Sequence, residues 1–293
     1  MDRNEVELAY RGIQERFCAA IEAVDGSGRF ITDSWDRPGG GGGLTRILAD
    51  GIHIEKAAVN FSAVEGRTPE QLSESLAADS NRFYASGVSI IVHPRNPYAP
   101  TFHANIRYFE TDGGDAWFGG GADLTPYYLF EEDARHFHSM LKDACDRHAS
   151  ADYTAWKARC DDYFRLPHRG EARGIGGIFF DHLSEDLEAV WAFQRELGNG
   201  LDEAYVPILK RRVGMSYGRR ETKWQEIRRG RYAEFNLVWD RGTRFGLETA
   251  GRTESILASL PPVARWVYAH EPEPDSPEAQ LLEMVRSEPR AWV

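Results

Sequence analysis

The run from Thr101 to Phe109 constrains the fold more than any other stretch of this chain. Successive side chains of a strand point to opposite faces, and here the two faces differ in kind. Phe102, Ala104, Ile106 and Tyr108 form an apolar stripe suited to a core, while His103, Asn105 and Arg107 line up on the other side. Gly87–His93 before it and Ala116–Gly119 after it read as neighbouring strands, with Leu44–Leu48 and Ala57–Val64 further upstream. Strands in immediate succession are most simply joined as antiparallel neighbours. Helical spacing marks Asn4–Ala23 (Val6, Ala9, Ile13, Phe17, Ile21), Phe130–His148 and Tyr153–Phe164. Thr68 and Pro69 look like a helix start, Ile178–Phe180 a buried strand, and Glu185–Val213 a helical run kinked or split at Pro207. Tyr232–Asp240 reads as a strand and Arg252–Leu260 as a helix stopped by Pro261 and Pro262. The expectation is a single α+β domain over 1–293. An N-terminal helix lies within 1–29, a large, mainly antiparallel sheet is covered by helices, and an acidic connector with a last helix fills 271–293.

Composition narrows the function. The chain has 293 residues, 42% of them hydrophobic, which is ample for a core. No apolar run approaches the roughly 18 residues of a membrane span. The acidic start lacks a signal core and an Arg-rich transit pattern, and the three cysteines are scattered, so the expectation is a reducing cytoplasm. A net charge of −11 gives no general attraction for nucleic acid. The basic cluster from Lys210 to Arg231 is either a solvated helix face or a neighbour of an anionic ligand.

The polar side of 101–109 is either a solvent face or a ligand face. An imidazole, an amide and a guanidinium in a row can hold a carboxylate and move a proton. Ser89 and His93 share a face of the preceding strand, and Asp123 follows three glycines that let backbone approach a ligand. Asp240, at the mouth of the supposed strand 232–240, is a further acid, and burial would raise the pKa of such an acid. The nine histidines are dispersed, with no chelating i,i+4 pair. The run Gly39–Gly43 lacks the Lys-Ser/Thr ending of a phosphate loop, and no flavin or nicotinamide fingerprint is present.

Long strings carry a resemblance: GGGGGLTRILADG, AAVNFSAVEG, GVSIIVHPRNPYAPTFHANIRYFE, WFGGGADLTPYYLFEEDARHFH, CDDYFRLPHRGEARGIGGIFFDHL and RRGRYAEFNLVWDRGTRFGLETAGRTESILASLPPVARW. From about Phe30 onward the chain resembles the aerobic coproporphyrinogen III oxidases. The resemblance implies a flat antiparallel sheet sandwiched between helices. It implies conversion of coproporphyrinogen III to protoporphyrinogen IX with O2 as co-substrate, no organic cofactor, and release of CO2 and hydrogen peroxide. It also implies a homodimer formed through roughly 232–267. It carries substrate contacts onto Ser89, Asn105, Ile106, Arg107, Ala250, Gly251 and Arg252, and a proton donor onto His103. Asp123 and Asp240 match active-site acids. A divalent ion such as Mn2+ is assigned to the positions matching His93, His103, His138 and His168, although members are also described as working without metal. Ala250 stands where many bacterial relatives have Gly. Two rivals remain at this point: a non-haem metal oxygenase using His93, His103 and an acid, and a tetrapyrrole-binding module without catalysis.

Overall fold

A computed structural model describes residues 1–68, 80–248 and 251–293. The supposed helix start at Thr68 and Pro69 runs into the segment outside that range. Helix α1 (Arg3–Asp25) opens the chain, its first turn capped by the Asp2 carboxylate. Its C-terminal Asp25 accepts backbone N–H bonds from Gly28, Ile52, His53 and Ile54, at 2.6 to 3.2 Å. Burial raises the Asp25 carboxyl, but those four donors hold it down at about 2. The helix end is thereby tied to the turn between two strands of the sheet.

That sheet has seven strands, all antiparallel and nearly all in sequence order: β1 (Ile31–Asp36), β2 (Gly41–Ala49), β3 (Ile54–Arg67), β4 (Arg82–Pro94), β5 (Thr101–Thr111), β6 (Ala116–Thr125) and β9 (Gly177–Leu183). Between β6 and β9 come α2 (Glu131–Asp146), α3 (Tyr153–Tyr163) and the small hairpin β7 (Arg165–Leu166) and β8 (Glu171–Ala172). The α+β expectation holds. Strand β1 was not visible in the sequence. The glycine run is the β1–β2 turn, where Gly40 and Gly41 take positive φ values of 117° and 74°.

One face of the sheet is the core. Phe61, Val88, Ile90, Phe102, Ile106 and Phe118 pack against α1, α2, α4 (Leu187–Asn199) and α5 (Leu201–Arg212). Two buried amides pin helices to strand backbone there. Gln14 donates to Leu44 O and Val59 O, and Gln194 donates to Gly119 O and Arg107 O. The run 185–213 breaks at Gly200, which ends α4 and starts α5, rather than at Pro207. Pro207 leaves the Glu203 carbonyl without its helical partner, and His136 Nε2 fills it at 3.1 Å.

The segment 232–240 is not a strand. Helix α6 (Arg219–Glu234) runs into a π-turn, Phe235–Trp239, closed by Asp240 N to Phe235 O at 2.9 Å. Phe235 and Asn236 are buried, while Leu237, Val238 and Trp239 are exposed in succession, a pattern no half-buried strand can show. Helices α7 (Arg241–Glu248) and α8 (Thr253–Leu257) follow, and α9 (Pro277–Arg286) closes the chain. The basic cluster divides between an exposed part, Lys210, Arg211, Arg219 and Arg220, and arginines buried in ion pairs. Arg212 pairs with Asp133, Arg220 with Glu278, buried Arg228 with Glu171, and buried Arg229 with Glu55.

Candidate active site

The sheet's second face carries the polar residues of β5 between glycines. In register, Ser89 and Gly121 flank Asn105, while Gly87 and Gly119 flank Arg107. A Cβ on Gly119 would lie 2.5 Å from Asp181 Oδ1 and 2.9 Å from Arg107 Nε. The missing side chain is thus what lets the guanidinium lie against the strand. Arg107 donates to Asn105 Oδ1 at 2.9 Å and pairs with Asp181 of β9 at 2.8 Å. Ile106 does not belong to this face, because its side chain is 1% exposed within the core.

One row along, His103 and Asp123 face each other across β5 and β6, with Nδ1 to Oδ1 at 2.7 Å. A carboxylate accepts, so Nδ1 carries the proton and Nε2 is left as the nitrogen available to a ligand. Behind Asp123 stands Arg173, 2% exposed, whose Nη2 reaches both carboxylate oxygens at 2.8 and 2.7 Å. Its other arm donates to Asn236 Oδ1 at 3.0 Å, and its guanidinium lies 4.0 Å from the Phe164 ring, 4.6 Å from Tyr232 and 4.8 Å from Phe235. Burial pushes the Asp123 carboxyl up, but Arg173 and His103 outweigh it and hold it below the ordinary range.

Asp240 stands over the same face. Its Oδ1 accepts from Tyr163 Oη at 2.7 Å, and its Oδ2 accepts from Thr243 N and Oγ1 at 2.8 and 2.7 Å, so it also caps α7. Burial raises it and these bonds, chiefly from Thr243, lower it further. Neither acid therefore has the raised pKa expected from burial, and both stay ionised. Tyr163 stacks on Phe179 at 4.5 Å, giving the site an aromatic wall. At the far side Arg252 ion-pairs with Asp33 of β1, and Ser255 of α8 bonds Thr45 Oγ1 at 2.7 Å and accepts from Asn60 Nδ2 at 2.9 Å. Gly251 N bonds Gly246 O at 2.8 Å. Ala250 lies outside the described residues.

The four candidate metal-ligating histidines are not brought together. His93 Nε2 donates to Ser259 O and its Nδ1 accepts from Thr101 Oγ1. His138 Nε2 donates to Ile175 O and its Nδ1 accepts from Tyr153 Oη. His168 Nε2 donates to Glu234, and its Nδ1 accepts from Trp239 Nε1. Each of these rings has spent its lone pair, which a metal would need. Burial drives the first two down, His138 to about 3, so both are neutral. Among the described residues no cluster of three or more His, Cys, Asp or Glu side chains could hold an ion. This donor set does not fit the implied metal.

Sequence reading missed Arg173, Tyr163 and Asp181. The available signal was a lone arginine at 173 between an alanine and a glycine-rich strand entry.

A family model described as coproporphyrinogen III oxidase matches residues 5–292. The chain is 48% identical over 307 residues to the oxygen-dependent coproporphyrinogen-III oxidase, chloroplastic, of Glycine max, covering 99% of this chain and 80% of that one. It is 48% identical over 307 residues to coproporphyrinogen-III oxidase 1, chloroplastic, of Arabidopsis thaliana (99% and 79%). Against the oxygen-dependent coproporphyrinogen-III oxidase of Drosophila melanogaster it is 48% identical over 306 residues (99% and 78%).

Proposed function

The chain belongs to the coproporphyrinogen III oxidase family, and from that premise we propose that it oxidatively decarboxylates two propionates of coproporphyrinogen III at the polar face of its sheet. The reaction belongs to haem biosynthesis and yields protoporphyrinogen IX. Each propionate becomes a vinyl group, with one O2 and one proton consumed and one CO2 and one hydrogen peroxide released. The two electrons that reduce O2 come from the electron-rich pyrrole substrate.

The observation that carries the reading is the half-buried guanidinium of Arg107, lying against Gly119 two same-face positions along β5 from His103. Arg107 takes a propionate carboxylate through parallel N–H bonds. Arg252 offers a second cation over the same face, four strand spacings away, about 19 Å, a distance suited to a ligand bearing carboxylates around a large ring. Ser89 and Asn105 line the floor between them. Asp240, ionised, accepts from pyrrole N–H and stabilises the positive charge that develops as electrons leave the ring. His103 moves a proton through Nε2 while ionised Asp123, held by Arg173, fixes its tautomer. Arg107→Lys tests the assignment. Lys keeps the charge and loses the fork, so KM for coproporphyrinogen III should rise roughly tenfold, about 1.4 kcal/mol. An unchanged KM removes Arg107 from the binding role.

The enzyme works as a homodimer through residues 232–267. Leu237, Val238, Trp239, Phe245, Leu247, Val263 and Trp266 in that stretch are each at least 37% exposed, a concentration of bare apolar side chains that calls for cover. Sedimentation should give a dimer that Trp266→Glu dissociates; a wild-type monomer contradicts it. Its place of work is the cytoplasm, a reading supported by three buried, unpaired cysteines.

A further inference from the structure

Arg107 is already engaged in the free protein. Across one strand, Asp181 Oδ1 lies 2.8 Å from its Nη2, and the pair rests on the Gly119 backbone where no side chain intervenes. Asp181 is held to this task by its own neighbour. The register of β9 shifts opposite Phe118 and Gly120, and His182 takes a left-handed backbone with φ 57°. His182 N then donates to Asp181 Oδ1 at 3.1 Å, its Nδ1 lies 3.5 Å from Asp181 Oδ2, and its ring stacks on Trp117 at 4.8 Å. An L-residue in that conformation is uncommon and needs support from its surroundings. The stack on Trp117 and the contacts with Asp181 supply it. The strand under Arg107 is in turn fixed from the core side by Gln194.

We propose that Asp181 is a specificity-determining residue: in the free enzyme it occupies on Arg107 the position of a substrate carboxylate, and an entering carboxylate must displace it. The inference rests on the reading of Arg107 as a carboxylate anchor. Two carboxylates cannot share one guanidinium edge without mutual repulsion, so binding exchanges one ion pair for another. A ligand without a carboxylate gains nothing at Arg107 and leaves the internal pair intact. A correctly placed propionate wins because it brings the rest of the macrocycle's contacts with it. Asp181 thus sets a threshold that weak or misplaced anions do not cross.

Asp181→Asn keeps the shape and the hydrogen bond to Arg107 but removes the competing charge. The probes are coproporphyrin III, the oxidised ring that does not turn over, and its tetramethyl ester, titrated by fluorescence quenching. The free acid should bind Asp181→Asn about three- to tenfold more tightly than wild type, with the ester unchanged. In turnover, KM should fall with kcat little altered. Combining the change with Arg107→Gln should abolish the gain. Acid affinity that is equal or weaker in Asp181→Asn overturns the proposal, as does an equal gain for the ester. Asp181→Ser, which also lacks the charge, serves if the Asn variant does not fold. Wild-type turnover of coproporphyrinogen III is measured alongside, so failure of the catalytic reading shows separately from failure of the gate.

Discussion

Phe102, Ala104, Ile106 and Tyr108 are at most 1% exposed, whereas His103, Asn105 and Arg107, alternating with them on the same strand, are half-buried. On the first face the neighbours across the ladder include Val88, Ile90 and Phe118, and where Gly120 stands beside Ile106 the Phe180 ring takes up the space. On the second face Arg107 meets Gly87 and Gly119, and Asn105 meets Gly121. One backbone therefore carries a packed surface, where shape decides stability, and a spare surface, where space is kept and polar groups are aimed. The second surface is no less ordered than the first. Its side chains are held by partners behind them, Arg173 for Asp123 and Asp123 for His103, so the order lies in hydrogen bonds rather than in volume.

The sharpest break of this comparison is Arg173→Met. Removing the buried cation leaves Asp123 charged and unpaired, which should cost about 3–5 kcal/mol in denaturant unfolding and most of the activity. A stable, active variant would mean that polar order behind the site is dispensable. Acid should have the next largest effect. His93 and His138 are held neutral in the fold, with pKa values below that of a free imidazole near 6.5. A depressed folded pKa gives stability that is present above the unfolded pKa and lost as pH falls. Both should destabilise the fold progressively as pH falls from about 6.5 to 5, and His138→Gln should flatten that slope. An unchanged slope would place the acid loss elsewhere. Asp123 and Asp240, also depressed, add their loss only below about pH 4.

Asp240→Asn sharpens the comparison on the ligand face. The cap to Thr243 survives, since Asn serves nearly as well as Asp at a helix start, while the charge is gone. Turnover should fall at least roughly tenfold, about 1.4 kcal/mol, with the melting temperature nearly unchanged. Near-normal turnover would reduce Asp240 to a cap. The smallest effect belongs to the packed face. Ile106→Val should cost about 1 kcal/mol of stability and leave KM alone; a raised KM would return Ile106 to the site.

Much of this was legible in the sequence, and the exceptions have physical reasons. The period of two in 101–109 is a local property, so the strand and its two faces could be read from nine residues. The alternation in 232–239 has another cause. Ala233 and Phe235 are buried by helix packing, whereas Leu237 and Trp239 are exposed apolar residues. Both kinds are hydrophobic, and the sequence does not say which is covered. Breaks and partners set by distant residues were equally hidden. Pro207 is tolerated because His136, far upstream, meets the orphaned carbonyl. The bond from Arg173 to Asp123 likewise joins the segment after β8 to β6, 50 residues apart in sequence. His138 and His168 carry no mark in the sequence that their lone pairs are already taken by Tyr153 and Trp239.

The central claim is that the spare face of the sheet binds coproporphyrinogen III and lets O2 oxidise it with the chain's own residues. The direct test is product formation by purified enzyme treated with a chelator, with and without O2. Protoporphyrinogen IX should form with O2, with matching CO2 release and peroxide, and should be absent without it. Equal yield under anaerobic conditions, or activity restored only by adding Fe(II), would contradict the account.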